Sequence, residues 1–266
     1  MAVPQGPHGP YEPHEETVRE QFRLQAETFT DDGFAVAGLD WIIEQLAPAA
    51  GEQALDVAAG AGHLGRALAP HVSHVAALDL TPEMLHQGQQ LATRDGLRNI
   101  GFLAGDASAL PWLDGQFDLV VCRLTLHQVG DPATIVEEMV RVTRADGRIG
   151  VVDMVAAPDP TVAAETDHLE RRRDPSHNQI LTAEEIGNLL TTAGSTVRSV
   201  SGRDIPVDFE DWMARTDTPE HGRTEIRSRV QDELDGGTQT GLNPAVTDDG
   251  SITLTRRWAT VRASRH

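Results

Sequence analysis

Between residues 51 and 155, short apolar runs alternate with helix-forming stretches, and that rhythm limits the folds open to the chain. ALDVA leads into a helix ending by Ala69, and HVAALDL into a helix from Pro82 to Arg94. IGFLAGD and FDLVVCRL follow, then a helix from Pro132 to Val142 and the run RIGVVDMV. Strands this apolar are covered on both faces, and helices between them act as crossovers, so the pattern predicts an α/β fold with a parallel sheet. At 266 residues the chain can bury a full core as one large domain.

The flanks read differently. Residues 1–16, rich in Pro, Gly, His and Glu, carry too little apolar surface to pack and are expected to form a mobile tail, with order beginning near Thr17. Val18, Phe22, Gln25, Ala26 and Phe29 recur at helical spacing, and a second helix from Gly38 to Leu46 stops before Pro48. Beyond Val155, Arg171, Arg172 and Arg173 read as a solvated helix face. A capping box, Thr182 with Glu185, opens a helix that runs to about Ala193 and stops at Gly194. STVRSVS reads as a strand, and SITLTRRWATVRAS as a half-exposed or edge antiparallel strand. Between them, Pro206 to Gly250 holds Trp212 and an amphipathic helix from Pro219 to Leu234, too long for a structureless loop and better read as a helical insertion covering a site. The expected organisation is one domain over 17–266: helices in 17–50, a cofactor-binding core in 51–155, and lid or substrate segments in 156–181 and 206–250.

Composition removes several function classes. With 41 acidic residues against 22 basic ones and a net charge of −19, the surface repels phosphate backbones and anionic membranes. Every basic residue is an arginine, so Schiff-base and P-loop lysine chemistry are excluded. The single cysteine, Cys122, permits no internal disulfide and no cysteine-built zinc site, and lies in an apolar run. The histidines show no metal-ligand spacing. MAVPQGPHGPYEPHEE has neither a basic start nor an apolar core, and no run approaches 18 apolar residues, so a soluble cytoplasmic protein, monomer or homodimer, is expected.

The chemistry concentrates at strand ends. Gly60, Gly62 and Gly65 match G-x-G-x-x-G, which by itself says only that backbone approaches a ligand at a helix start. Asp56, four residues before Gly60, is out of place for a nicotinamide dinucleotide and suits a ligand with a cationic end. Asp79 follows Gly60 by 19 residues, the distance at which a carboxylate meets adenosine ribose hydroxyls. Asp106, followed by Ala107, can accept from an adenine amino group. Acids after three successive strands suit a cationic adenosyl ligand better than an anionic pyrophosphate.

LDVAAGAGHLG, ALDLTPEML, GDASALPW, FDLVVCRLTLHQVGDP and VTRADGRIGVVD, in that order, resemble class I S-adenosylmethionine-dependent methyltransferases, in particular the branch similar to ubiquinone and menaquinone C-methyltransferases. QFRLQAETF and RDPSHNQILTAEEI extend the likeness over nearly the whole chain. Two positions depart from that pattern: Ala58 stands where glycine is usual, and Ala145-Asp146-Gly147 replaces a Pro-Gly-Gly turn. The Asn/Asp-Pro-Pro-aromatic tetrapeptide of many amino-group nucleic-acid methyltransferases is absent.

The resemblance implies a Rossmann-like, doubly wound, mostly parallel seven-stranded sheet with an antiparallel C-terminal strand, N-terminal helices and helical lid insertions. It implies S-adenosyl-L-methionine as cofactor, S-adenosyl-L-homocysteine as product, no metal, and a small, ring-containing acceptor methylated at oxygen, carbon or nitrogen. Cofactor contacts are then expected from Phe29, Asp56, Ala58, Gly60, Gly62, Asp79, Leu80, Met84, Asp106, Ala107 and Arg123. His127, just after the fourth strand, is the candidate general base, with His177 a second catalytic candidate. Phe22, Trp212 and Met213 are the candidate acceptor-binding residues. Three other readings stand beside this one: a cyclase or isomerase that uses the sulfonium without transferring methyl, a nicotinamide oxidoreductase, and a non-catalytic binding protein. No Tyr-x-x-x-Lys pair exists to favour the oxidoreductase.

Overall fold

The computed structural model describes residues 13–25 and 33–266. Helix α1 spans Pro13–Gln25, with Glu15 and Glu16 in its first turn and Arg23 in its last, the polarity that the helix dipole favours. It begins four residues before the expected start at Thr17, because a proline suits the first turn of a helix. Ala26 and Phe29 lie outside the described residues. A single turn, α2 (Gly33–Val36), precedes α3 (Leu39–Leu46), which Gly38 opens at φ 70° and Ala47 closes in the left-handed region.

The core alternates as expected: β1 (Gln53–Val57), α4 (His63–Leu68), β2 (His74–Asp79), α5 (Pro82–Arg94), β3 (Ile100–Ala104), β4 (Phe117–Arg123), α6 (Pro132–Val142) and β5 (Thr143–Met154). Then come α7 (Pro160–Arg173), α8 (Ala183–Thr192), β6 (Ser195–Asp208), α9 (Phe209–Ala214), α10 (Glu220–Leu234), β7 (Pro244–Val246) and β8 (Ile252–Arg265). Strand order is β3-β2-β1-β4-β5-β8-β6, with the pairs among β1 to β5 parallel and β8 antiparallel to both β5 and β6. This is the doubly wound, mostly parallel sheet with an antiparallel C-terminal strand. Seven strands form the continuous path; three-residue β7, inside a segment expected to be helical, pairs with β8 as an eighth.

The last strand corrects an expectation. β8 is not an edge strand but lies between β5 and β6, leaving β6 at the edge. Two of its arginines have partners inside the protein: Arg256 Nη2 donates to Glu170 at 2.7 Å, and Arg262 Nη1 to the Gln45 carbonyl at 2.6 Å. Sequence alternation recorded polarity, and the partners turned polarity into burial.

Helices cover both faces. Ile42, Leu46, Leu64 and Leu68 pack on Ala54, Leu119 and Val121, while Ile135, Met139, Ile186 and Leu190 pack on Leu55, Val120 and Val151. Consecutive residues of β4 thus serve opposite layers, as strand geometry requires. Cys122 is buried in the second layer, which raises its thiol well above the usual range and keeps it unreactive. Segment 206–250 contains α9, α10 and β7; α10 packs on α7, with Ile226 and Val230 in one cluster with Leu169 and Leu242. Among the described residues no helix is long and apolar enough to cross a membrane.

The capping box read from sequence is present: Thr182 Oγ1 accepts from the Glu185 amide at 3.1 Å, and Glu185 Oε2 accepts from the Thr182 amide at 2.7 Å. Thr182→Ala is expected to cost about 1 kcal/mol, lowering Tm by about 2 to 4 °C in a thermal melt.

Candidate functional site

Because the crossovers from β1 and β4 leave in opposite directions, a crevice opens above their carboxyl ends, where ligands of doubly wound sheets bind. A cavity of about 920 Å³ occupies that position. Its floor is the turn from β1 to α4, where Ala58, Gly60 and Gly62 take φ values of 52°, 54° and 69°. Glycine enters that region freely; Ala58 holds it at a cost of roughly 1 kcal/mol.

Two buried acids hold this turn. Asp79 Oδ2 accepts from the Gly60 amide at 2.7 Å and its Oδ1 from the Thr81 amide at 2.8 Å, so the end of β2 is tied to the glycine loop. Asp56 Oδ2 accepts from the Gly65 amide at 2.7 Å. A Cβ on Gly65 would stand 3.0 Å from that oxygen and 3.2 Å from Ile100, so this glycine serves close packing of α4 on the sheet. Burial raises the Asp56 carboxyl to about 7, against the Gly65 amide and Arg123, which favour its charge; nearby Asp79 adds to the rise. Asp79 is raised for the same first reason, burial, opposed by the amides of Thr81 and Gly60. Asp106 Oδ1 accepts from the Ser108 amide at 2.7 Å.

The opposite wall starts where β4 ends. Leu124 takes φ 55°, and its amide donates to the Val152 carbonyl at 2.8 Å, turning Thr125 to His127 away from the sheet. Asp153, at the end of β5, accepts from the amides of Leu126 and Met154, both at 2.8 Å, and Thr125 at 3.2 Å. His127 Nδ1 lies 2.6 Å from Asp153 Oδ1. With amide donors filling the carboxylate, the shared hydrogen belongs on Nδ1, which leaves Nε2 as the acceptor in the neutral ring. Burial alone would lower the imidazole; the Asp153 charge and hydrogen bond, with Glu170 and Asp174 behind, raise it above its ordinary value.

Arg123 is a clamp. Its Nη2 donates to the carbonyls of Phe34 at 3.2 Å and Ala37 at 3.3 Å, and its guanidinium lies over Trp258. Burial lowers it to about 10, with Asp56 and Asp153 holding it up.

Most of the expected residues meet here. Asp56, Ala58, Gly60, Asp79, Leu80 and Met84 line the cavity on the loop side, and Asp106, Ala107, Arg123 and His127 continue the wall. Phe22 and Trp212 line it from α1 and α9. Three residues do not. Gly62 caps α4 beneath the Phe102 ring, where a Cβ would meet that ring at 2.7 Å. Met213 is fully buried in the apolar core, because it follows Trp212 on a helix and points elsewhere. His177 is buried beside the site, its Nε2 2.8 Å from Asp167 Oδ1 and its ring 5.9 Å from that of His127. Phe29 lies outside the described residues.

The comparisons agree with this geometry. Residues 55–151 match the family described as methyltransferase domain. The uncharacterized methyltransferase YcgJ of Bacillus subtilis is 30% identical over 216 residues, 80% of this chain and 85% of its own length. Its crystal structure superposes with a TM-score of 0.78 over 86% of this chain and 98% of YcgJ. The chain belongs to the S-adenosylmethionine-dependent methyltransferases. The ubiquinone/menaquinone biosynthesis C-methyltransferase UbiE of Roseobacter denitrificans is 33% identical over 129 residues, 47% of this methyltransferase and 50% of UbiE. A phosphoethanolamine N-methyltransferase of Haemonchus contortus, solved with S-adenosyl-L-methionine, shares the fold at a TM-score of 0.63 and 14% identity, over 97% of this chain and 60% of that one.

The donor set of the methyltransferase fits this cofactor. Asp56, Asp79 and Asp106 line the loop side, and the arginine on that side, Arg123, is already engaged by carbonyls. A cation meets counter-charge there, and a pyrophosphate would meet repulsion.

Sequence reading missed several residues. Asp153 stood in the apolar run RIGVVDMV, where a lone acid is itself a signal. Arg173, read as part of a solvated face, is buried and donates from Nε to Glu170 at 2.9 Å. Gly88, a glycine inside a helical pattern, lets α5 touch the loop: a Cβ there would stand 2.8 Å from the Ala61 carbonyl oxygen. Gly88→Ala must therefore shift backbone, and is expected to cost about 1 to 3 kcal/mol in a denaturant melt.

Proposed function

We propose that the protein transfers a methyl group from S-adenosyl-L-methionine to a small, ring-containing acceptor, with His127 as general base, in the cytoplasm. The observation that carries this reading is the His127–Asp153 pair in the wall of the cavity above the β1–β4 switch point. Asp56 and the glycine loop would hold the methionyl end of the cofactor, Asp79 the ribose hydroxyls, and Asp106 with Ala107 the adenine. When bound, the cofactor supplies an electrophilic methyl carbon on a cationic sulfur. The protein places the acceptor atom about 3 to 3.5 Å from that carbon, in line with the bond that breaks, and excludes water. Phe22 and Trp212, with segments 156–181 and 206–250, would shape the acceptor half and set its specificity.

His127 Nε2 takes the proton that a phenol or enol acceptor loses as it is methylated. Asp153 fixes the ring and balances the imidazolium. Because the folded imidazole titrates above its unfolded value, the pair contributes stability that is full below the ordinary histidine range and is lost as pH rises through the folded value. The base-competent neutral form accumulates only above that point, so kcat should rise along a limb lying above the usual histidine range. His127→Ala is expected to lower kcat by about 10²- to 10⁴-fold while leaving affinity for S-adenosyl-L-homocysteine near that of the parent. Asp153→Asn should move the limb to lower pH. Limbs that coincide in parent and Asp153→Asn would remove the base role.

The deciding experiment on the function is a thermal shift and co-crystal with S-adenosyl-L-homocysteine, followed by product mass analysis against phenolic and enolic acceptors. Stabilisation and an acceptor one methyl heavier are expected. Stabilisation by NAD alone would overturn the cofactor assignment, and turnover without added methyl would establish a rearrangement instead.

A further inference from the structure

Opposite the glycine loop the cavity changes sign. Arg173 at the end of α7, Arg215 just after α9 and Arg256 on β8 all line it. Two buried carboxylates stand among them. Glu170 is fully buried, with Oε2 accepting from Arg173 Nε at 2.9 Å and Oε1 from Arg256 Nη2 at 2.7 Å. Burial would raise it, yet the two guanidiniums, with His177 and His127, hold it down at about 2. Asp174 Oδ1 accepts from the Ser176 amide and hydroxyl, and its Oδ2 lies 3.8 Å from Arg173 Nη2.

These carboxylates are spent, and guanidinium donors remain. Arg256 is 3% exposed, and among the described residues its Nε and Nη1 have no hydrogen-bond partner. It stands in the wall between this cavity and a smaller one of about 330 Å³. Arg215 lies over the Phe34 ring at 4.0 Å, and among the described residues no carboxylate pairs with it. Burial and then the charge of Arg173 lower it to about 9, Glu170 and Asp211 opposing. The other acids lining this side, Asp208 and Asp211, are exposed, and Asp208 is occupied in capping α9 by accepting from the Asp211 amide at 2.9 Å. Buried Asp167 also acts on Arg256, but it lies 2.8 Å from His177 Nε2, so the guanidinium N–H groups of Arg256 that no acceptor meets stand in a low-dielectric pocket, an arrangement costly without a partner.

We propose that this end of the cavity is a subsite for a carboxylate on the methyl acceptor, gripped by Arg215 with Arg256 behind it. The inference rests on the methyltransferase reading and adds the substrate class, a small ring-bearing carboxylic acid. A planar carboxylate matches the guanidinium fork. A phosphate dianion would bring a second negative charge against Glu170 and Asp174.

Calorimetric titration of the protein loaded with S-adenosyl-L-homocysteine tests this, using benzoate, cinnamate and phenylacetate against their neutral amides. At least one acid is expected to bind about tenfold or more tightly than its amide, with the preference weakened by salt. Arg215→Gln should abolish the preference while retaining homocysteine-product binding. Among the described residues the Arg215 side chain makes no hydrogen bond, and its backbone bond to the Asp211 carbonyl is kept in the variant, so this variant should fold, which a melt of the loaded protein checks. A panel in which no acid outbinds its amide overturns the subsite, as does a preference that survives Arg215→Gln. Loss of S-adenosyl-L-homocysteine binding in the parent would instead overturn the reading beneath it.

Discussion

Everything in this molecule hangs on the parting of β1 and β4. They are parallel neighbours in the sheet, yet their crossovers run to opposite sides, so a gap opens above their carboxyl ends that neither chain segment can fill. The gap collects the ends of β2 and β5, and with them Asp79 and Asp153. Backbone groups freed there find side-chain partners: the Gly60 amide finds Asp79, and the amides of Leu126 and Met154 find Asp153. The site's acids are therefore structural before they are functional.

The cavity that results is electrically divided. Three acids line the side of the glycine loop, and three arginines with fewer buried acids line the far side. A cationic cofactor and an anionic acceptor would each meet opposite charge, and the same division would draw sulfonium and nucleophile toward each other across a dry gap. Between the halves stands His127, lifted by Asp153, where the proposed mechanism would place the proton that the acceptor releases. Such buried charges weaken a fold unless each is engaged; backbone amides hold Asp56, Asp79 and Asp153, and carbonyls hold Arg123.

Reading Asp56, Gly60, Asp79, Asp106 and His127 from sequence was possible because each closes or follows an apolar strand, and strand ends converge in a doubly wound sheet. Arg215, Arg256 and Glu170 offered no such guide, whereas Asp153 did close an apolar strand and was overlooked. Arg256 and Glu170 are 86 residues apart, and nothing local separates a buried arginine from a solvated one. Met213 and His177 show the opposite error, since proximity in sequence to a site residue, or a turn nearby, does not say which way a side chain points.

What the sequence determined by itself is the layered α/β sheet, its glycine turn and its row of acids, because periodicity of two or 3.6 residues and the conformational freedom of glycine act over a few neighbours. Only the tertiary structure decided that β8 lies inside the sheet, that α5 needs Gly88 to reach the loop, and that three distant arginines share one pocket. Those outcomes depend on burial and on pairing across the fold. Burial turns an arginine from a solubilising group into a fixed charge, and no local pattern records it.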